Sequence, residues 1–191
     1  MTALYTRGGD TGTADACAGA RVAKYDAVFD ALGTVDELQC VLGVARCHLA
    51  PAHAATADTL AAVQHTLSAA VCVALLPACT AAPGRAAALA RTLQDATAAA
   101  EHTIDAMHLP PLRAFVVPGA SGCLAAAQLH VCRAVCRRAE RAVVRAVGTS
   151  SVLCGTLPAP LHSALLAYMN RCSDLLFACA LYVDQQSNPE K

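Results

Sequence analysis

The spacing of the apolar residues constrains this chain more than any other feature. From Asp26 onward, Val28, Leu32, Val35, Leu38, Leu42, Ala45 and Leu49 recur at three- and four-residue steps, the repeat of one helix face. A second stripe, Leu60, Val63, Leu67, Val71 and Ala74, stops at Pro77. A third, Leu89, Leu93, Ala96, Ala100 and Met107, lies between Pro83-Gly84 and Pro110-Pro111. A short extended piece at 114–117 ends in Pro118-Gly119, and Ser121 is suited to cap a fourth helix running to about Val147. A fifth begins near Pro160 and ends by Asp184, with Leu161, Leu165, Tyr168, Leu175 and Leu176 among its apolar positions. No strand-type alternation with turn signals is legible, nor a repeat of fixed period. Helices of this length with short connections predict an all-α fold, an antiparallel up-down bundle of four or five helices.

A length of 191 residues predicts a single domain over 1–191. Within it, 1–25 reads as a loop, 26–184 as the bundle and 185–191 as a polar, frayed tail. The loop is rich in Gly, Thr and Asp, with Gly8, Gly9, Gly12 and Gly19 free to take positive φ. The eleven cysteines, Cys17 and Cys79 among them, are odd in number and include no CxxC pair. They read as reduced, core-filling thiols. Of His130, Cys132 and Cys136 only the two cysteines share a helical face, and zinc would need two more ligands, so the three read as packing.

Net charge is zero, which argues against a nucleic-acid backbone as the main partner. The apolar runs are interrupted by charge or proline before a membrane-spanning length, and the first seven residues lack a signal-peptide core. The expectation is a protein with no membrane or nucleic-acid partner, cytoplasmic, or of the mitochondrial matrix if a transit peptide precedes it.

Charge is concentrated in one place. Only 15% of residues are charged, yet HVCRAVCRRAERAVVR carries Arg133, Arg137, Arg138, Arg141 and Arg145 around one glutamate, Glu140. Four of the arginines repeat every fourth residue, so they stack with about 40° of drift per step. Like charges at that spacing repel, and guanidinium suits phosphate. The stripe is either an anion site or an exposed basic face, including an intersubunit salt-bridge ladder. Glu140, three residues from Arg137, could orient it. The glycine-rich loop is a second phosphate cradle, though no GxxxxGK[ST] occurs in it. Lys24 can reach a phosphate, and Asp10 and Asp15 could help hold Mg²⁺. No nucleophilic triad, HExxH or ExxH motif is present, so the residues alone lead to a helical bundle that binds polyphosphate.

Three segments carry a resemblance. YTRGGDTGT with RVAKYD and ALGTVDELQCVLGVAR, then FVVPGASG with LHVCRAVCRRAER, then YMNRCSDLLFACA, resemble the three signatures of PduO-type ATP:cob(I)alamin adenosyltransferases, in the same order from Tyr5 to about Tyr182. The resemblance implies a homotrimer with ATP between adjacent subunits. It implies that Thr6, Arg7, Gly8 and Gly9 wrap the nucleotide and that Lys24 meets its phosphates. Arg137, Arg138, Glu140 and Arg141 would complete the site, with Asn170 on the nucleotide. Asp36 would pair with Arg137 across the interface. Phe115 would pack under the corrin and drive off its lower axial ligand, making Arg137, Asp36 and Phe115 the catalytic set, with no resident metal ligands.

The substrates so implied are ATP, with Mg²⁺, and cobalamin. Implied partners are a flavin-dependent reductase and an adenosylcobalamin-dependent enzyme. The chain departs from the family pattern at Ala14 and Asp15, where Ser or Thr is common, and at Ala120, where a second glycine is common. Those departures admit a regulator that binds ATP and cobalamin without efficient catalysis. A bundle whose arginine face docks an acidic partner is the other alternative, weakened by the neutral charge and the lack of interleaved aromatics.

Overall fold

The bundle starts at Asp26, whose extended backbone (φ −62°, ψ 143°) and Oδ1, accepting from the Val28 N–H at 2.9 Å, cap the first helix. The computed structural model describes residues 5–16, 21–76, 80, 82, 84–112 and 114–187. Cys17, Gly19, Pro77, Cys79, Pro83 and tail residues 188–191 lie outside the described residues.

Helix α1 (Ala27–His48) buries Val28, Ala31, Val35, Leu38, Leu42 and Ala45, one face as the spacing requires. Pro51 opens a 3₁₀ turn (Pro51–His53) that leads into α2 (Ala54–Thr66). Where one regular helix was expected to Ala74, the chain widens into a π segment (Leu67–Val71) before a last α-turn (Cys72–Ala74). Leu67, Ala70 and Val71 are all buried there, while Ser68 faces α1 and donates to Gln39 Oε1 at 2.5 Å. Gly84, at φ 76°, turns the chain into α3 (Arg85–Ala106). Then follow α4 (Leu124–Thr149) and α5 (Ala159–Ser187).

Three expectations need correction. Ser121 does not cap α4: Gly122 after it sits at φ 80°, a left-handed conformation that cannot begin a right-handed helix. The helix starts after Cys123, and Ser121 Oγ accepts the Cys123 N–H at 3.2 Å instead. The last helix continues through Gln185 to Ser187 rather than fraying after Asp184. The N-terminal loop contains a small sheet: β1 (Thr13–Asp15) pairs antiparallel with β2 (Arg21–Ala23), Ala14 opposite Val22. Three residues per strand are too few to show alternation. Arg21 holds the hairpin, reaching Thr13 Oγ1 at 2.8 Å, Asp15 Oδ1 at 3.3 Å and the Gly8 carbonyl.

Asp30 pairs with Arg145 and Glu37 with Arg138, seven residues forward on α1 for seven back on α4, so these helices run antiparallel. Asn170 on α5 meets Glu140 on α4, and Arg171 on α5 meets Glu101 on α3. Helix α5, with Leu161, Leu165, Met169, Cys172, Leu176, Cys179 and Val183 fully buried, is the central core element. By length and composition it passes as a membrane span, but 61% of its most apolar window is buried inside the bundle.

Cys132, Cys136, Cys172 and Cys179 fill the α4–α5 seam at zero exposure. Burial pushes the Cys132 and Cys179 thiols up to about 12, so they stay neutral and behave as small apolar groups. Cys40, Cys47 and Cys154 are instead exposed.

Candidate functional site

The glycine loop folds onto Lys24. Successive turns close Asp10 N–H onto Arg7 O and Gly12 N–H onto Gly9 O, each at 3.2 Å, and the Gly8 N–H donates to Thr6 Oγ1 at 3.3 Å. Arg7 lies in the left-handed region at φ 58°, its guanidinium 5.6 Å from the Tyr5 ring centre. The Lys24 N–H donates to Gly12 O at 2.9 Å, and a Cβ on Gly9 would sit 2.7 Å from Lys24 Nζ. Glycine at 9 is thus what admits the ammonium onto the loop. Lys24 lines a cleft of about 610 Å³ with Tyr25, Asp26, Phe29, Asp30, Arg145 and Thr149. Asp15, a possible Mg²⁺ ligand by sequence, is held by Arg21. No group of three or more His, Cys, Asp or Glu among the described residues is placed to hold a metal.

The middle of α4 carries the other basic region. Arg137 and Arg141 are exposed and make no ion pair among the described residues, whereas Arg138 is engaged by Glu37 and Arg145 by Asp30. Glu140 does not orient Arg137 as its spacing allowed: it accepts from Asn170 Nδ2 at 3.1 Å. That bond does bring together two residues named from the sequence. Asp36 is exposed on α1 without an ion pair among the described residues; its charge acts with burial to push the Cys72 thiol up, burial being the larger cause.

Phe115 is fully exposed at the mouth of a cavity of about 720 Å³, lined also by Leu112, Val116, His130, Arg133 and Phe177. The Arg133 guanidinium stands 5.7 Å from the Phe177 ring centre and His130 stacks at 5.8 Å, tilted by 53°. His130 Nδ1 and Arg133 Nε are buried without hydrogen-bond partners among the described residues. Burial first, then the Arg133 charge, lowers the His130 pKa against the opposing pull of Asp184, so the ring is neutral near pH 7. Arg133 also lines a neighbouring cleft of about 160 Å³ with Arg137, Ser173, Asp174 and Phe177. The apolar cavity and the basic cleft therefore share a wall.

Thr6, Gly8, Gly9 and Lys24 are brought together, as are Glu140 and Asn170. The loop cleft is lined by Arg145 rather than by Arg137 or Arg141, and Arg145 stands eight residues, about 12 Å of helix, beyond Arg137. Arg133 entered the sequence reading only as one of the arginine stripe, His130 was read as packing, and Phe177 was not singled out. Their signal was helical register: Arg133 lies one turn before Arg137, and Phe177 two turns after Asn170. His130 belongs to a cavity wall and not only to packing.

Residues 4–183 match the family described as Cobalamin adenosyltransferase. The human corrinoid adenosyltransferase MMAB is 37% identical over 98% of this chain and 72% of its own length. A corrinoid adenosyltransferase of Citrobacter freundii is 36% identical over 94% of both chains. A solved variant of the PduO-type ATP:corrinoid adenosyltransferase of Lactobacillus reuteri, complexed with ATP, superposes with TM-score 0.75 at 25% identity, covering 97% of this chain and 96% of the other. With a glycine loop closed on a lysine, an arginine helix and an aromatic cavity beside it, this chain belongs to the cobalamin adenosyltransferase family.

Proposed function

We propose that the chain transfers the 5′-deoxyadenosyl group of ATP to the cobalt of cob(I)alamin, giving adenosylcobalamin and triphosphate. One observation carries the reading: a broad aromatic-lined cavity and a cleft bearing Arg137 share Arg133 as a wall. A flat macrocycle in the first and a triphosphate at the second would place two reactants side by side, the proximity that makes such a transfer fast.

The electron pair comes from Co(I), which attacks the 5′ carbon as the C5′–O bond breaks and triphosphate departs. No protein nucleophile is required. Arg137 and Arg141, exposed and without carboxylate partners among the described residues, are free to meet charge developing on the leaving group. Asn170, oriented by Glu140, contacts the nucleotide, and Arg138 steadies the helix through Glu37. The Phe115 ring packs under the corrin, excludes water and displaces the lower axial ligand, easing reduction of cob(II)alamin. Mg²⁺ enters with the triphosphate as its counterion.

The loop of one subunit, with Thr6, Arg7, Gly8, Gly9 and Lys24, faces the arginine helix of the next in a homotrimer. The distance along α4 between the Lys24 cleft and Arg137 supports that arrangement, and Asp36, exposed on α1, is available to a neighbouring subunit's arginine. Residues 1–25 act as the nucleotide loop of one domain spanning 1–191. The protein works in the cytoplasm or the mitochondrial matrix, supplied by a flavin-dependent reductase and delivering product to an adenosylcobalamin-dependent enzyme.

The test is anaerobic: purified protein, ATP, Mg²⁺ and chemically reduced cob(I)alamin, followed through the corrinoid spectrum. Conversion to a light-sensitive alkylcobalamin is expected. No conversion by folded protein that still binds ATP would replace the enzyme with an ATP-binding regulator of the same fold.

A further inference from the structure

One carboxylate ties the start of α1 to the segment that follows α4. Asp26 Oδ1 accepts from the Val28 N–H at 2.9 Å, and Oδ2 accepts from the Ser151 N–H at 2.9 Å and the Ser151 hydroxyl at 2.6 Å. Capping a helix needs only the first of these. The other two join positions 125 residues apart in sequence. Burial opposes the charge, but hydrogen bonds from Ser151, Val28 and Ser150 outweigh it and hold the carboxyl ionised far below the usual carboxylate range. Beside this junction, Lys24 and Asp26 from one side and Arg145 and Thr149 from the other line the same cleft. Among the described residues, the hydrogen bonds between residues 21–26 and the segment 149–152 all run through Asp26, to Ser151 and Ser150.

We infer that Asp26 is a positioning residue for nucleotide binding: by clamping Ser151 it holds Lys24 against the end of α4, where Arg145 is already paired with Asp30, so that the Lys24 ammonium is set in place to meet a phosphate. The inference rests on the reading that Lys24 meets the phosphates of ATP. Asp26 itself touches no phosphate, since both of its oxygens are occupied.

A clamp and a simple cap are separable by side-chain length. Serine caps helices about as well as aspartate but is too short to reach Ser151. In the full-length protein, Asp26→Ser is expected to raise the KM for ATP about tenfold or more while leaving that for cob(I)alamin within about twofold. Asp26→Asn, with the length but a single acceptor oxygen, falls between. Ser151→Ala, which keeps the N–H contact and loses the hydroxyl, raises the KM for ATP by a smaller factor. Should Asp26→Ser not fold, Ser151→Ala and Asp26→Asn decide the matter by the same split. An unchanged KM for ATP, or an equal rise for both substrates, overturns the clamp. Calorimetric titration of the wild type with ATP keeps the two readings apart. Wild type that binds ATP beside an Asp26→Ser variant that binds it equally well overturns this inference alone, whereas wild type that does not bind ATP overturns the nucleotide reading and the clamp with it.

Discussion

The Lys24 cleft and the Phe115 cavity are built on opposite principles. In the first, charges are partnered: Asp26 by Ser151 and Val28, Asp30 by Arg145, with Lys24 laid across Gly9. In the second, an aromatic ring stands fully exposed, and His130 Nδ1 and Arg133 Nε are buried without partners among the described residues. Leaving buried polar atoms unpaired costs about 1–3 kcal/mol each, so proteins rarely keep them without a use. On the function proposed above, the contrast means that the charged cleft is preset for its ligand, while the aromatic cavity is completed by one.

The largest expected effect is in the basic cleft beside the aromatic cavity. Arg137→Ala should lower turnover about a hundredfold or more in a protein that still folds, since a preorganised cation meets charge that appears only in the transition state. An unchanged rate would remove the arginine helix from the chemistry. Next is Phe115→Ala, whose loss should be about tenfold greater with cob(II)alamin plus reductant than with pre-reduced cob(I)alamin. Equal losses would mean the exposed ring merely binds, and the contrast between preset and completed regions would weaken. Gly9→Ala sharpens the other side. Its Cβ would meet the mobile end of Lys24 at 2.7 Å, so the lysine shifts and the KM for ATP rises a few-fold, about 1 kcal/mol of binding.

Two smaller predictions concern stability. Burial pushes the Cys132 and Cys179 thiols up to about 12 in the folded state, above the ordinary thiol value of about 9. Raised folded values mean the native state keeps protons that the unfolded chain releases. Their contribution is therefore complete below about pH 9 and is lost as pH rises toward about 12. Denaturant midpoints across that range should fall, and less steeply in Cys132→Ala or Cys179→Ala. Smallest is Glu37→Gln: the Arg138 pair is half exposed on both sides, so its loss should cost no more than about 1 kcal/mol by chemical denaturation.

The long helices were legible because apolar period and helix geometry are the same information: Val28 to Ala45 repeats at the step that buries one face. The loop's part was legible from Gly8, Gly9 and Lys24 as residue types, but the hairpin was not, since strands of three residues carry no period. Ser121 misled because local preference for a cap yields to the φ 80° of the glycine after it. Glu140 misled because i,i+3 spacing on one helix says nothing of Asn170 arriving from another. The π segment meets α1 through the Ser68–Gln39 bond, a partner that no single-helix pattern encodes.

What the sequence by itself determined is helical class, the order of the elements, and the family, because periodicity and ordered motifs are properties of the chain alone. What only the tertiary structure decided is which charges are spent and which remain. Arg138 and Arg145 pair with carboxylates of α1, while Arg137 and Arg141 make no ion pair among the described residues, though all four lie in one basic run of the sequence. The reason is geometric: at about 100° per residue, Arg138 and Arg145 point nearly the same way around α4 while Arg137 and Arg141 lie further round, and only the docking of α1 settles which surface meets carboxylates.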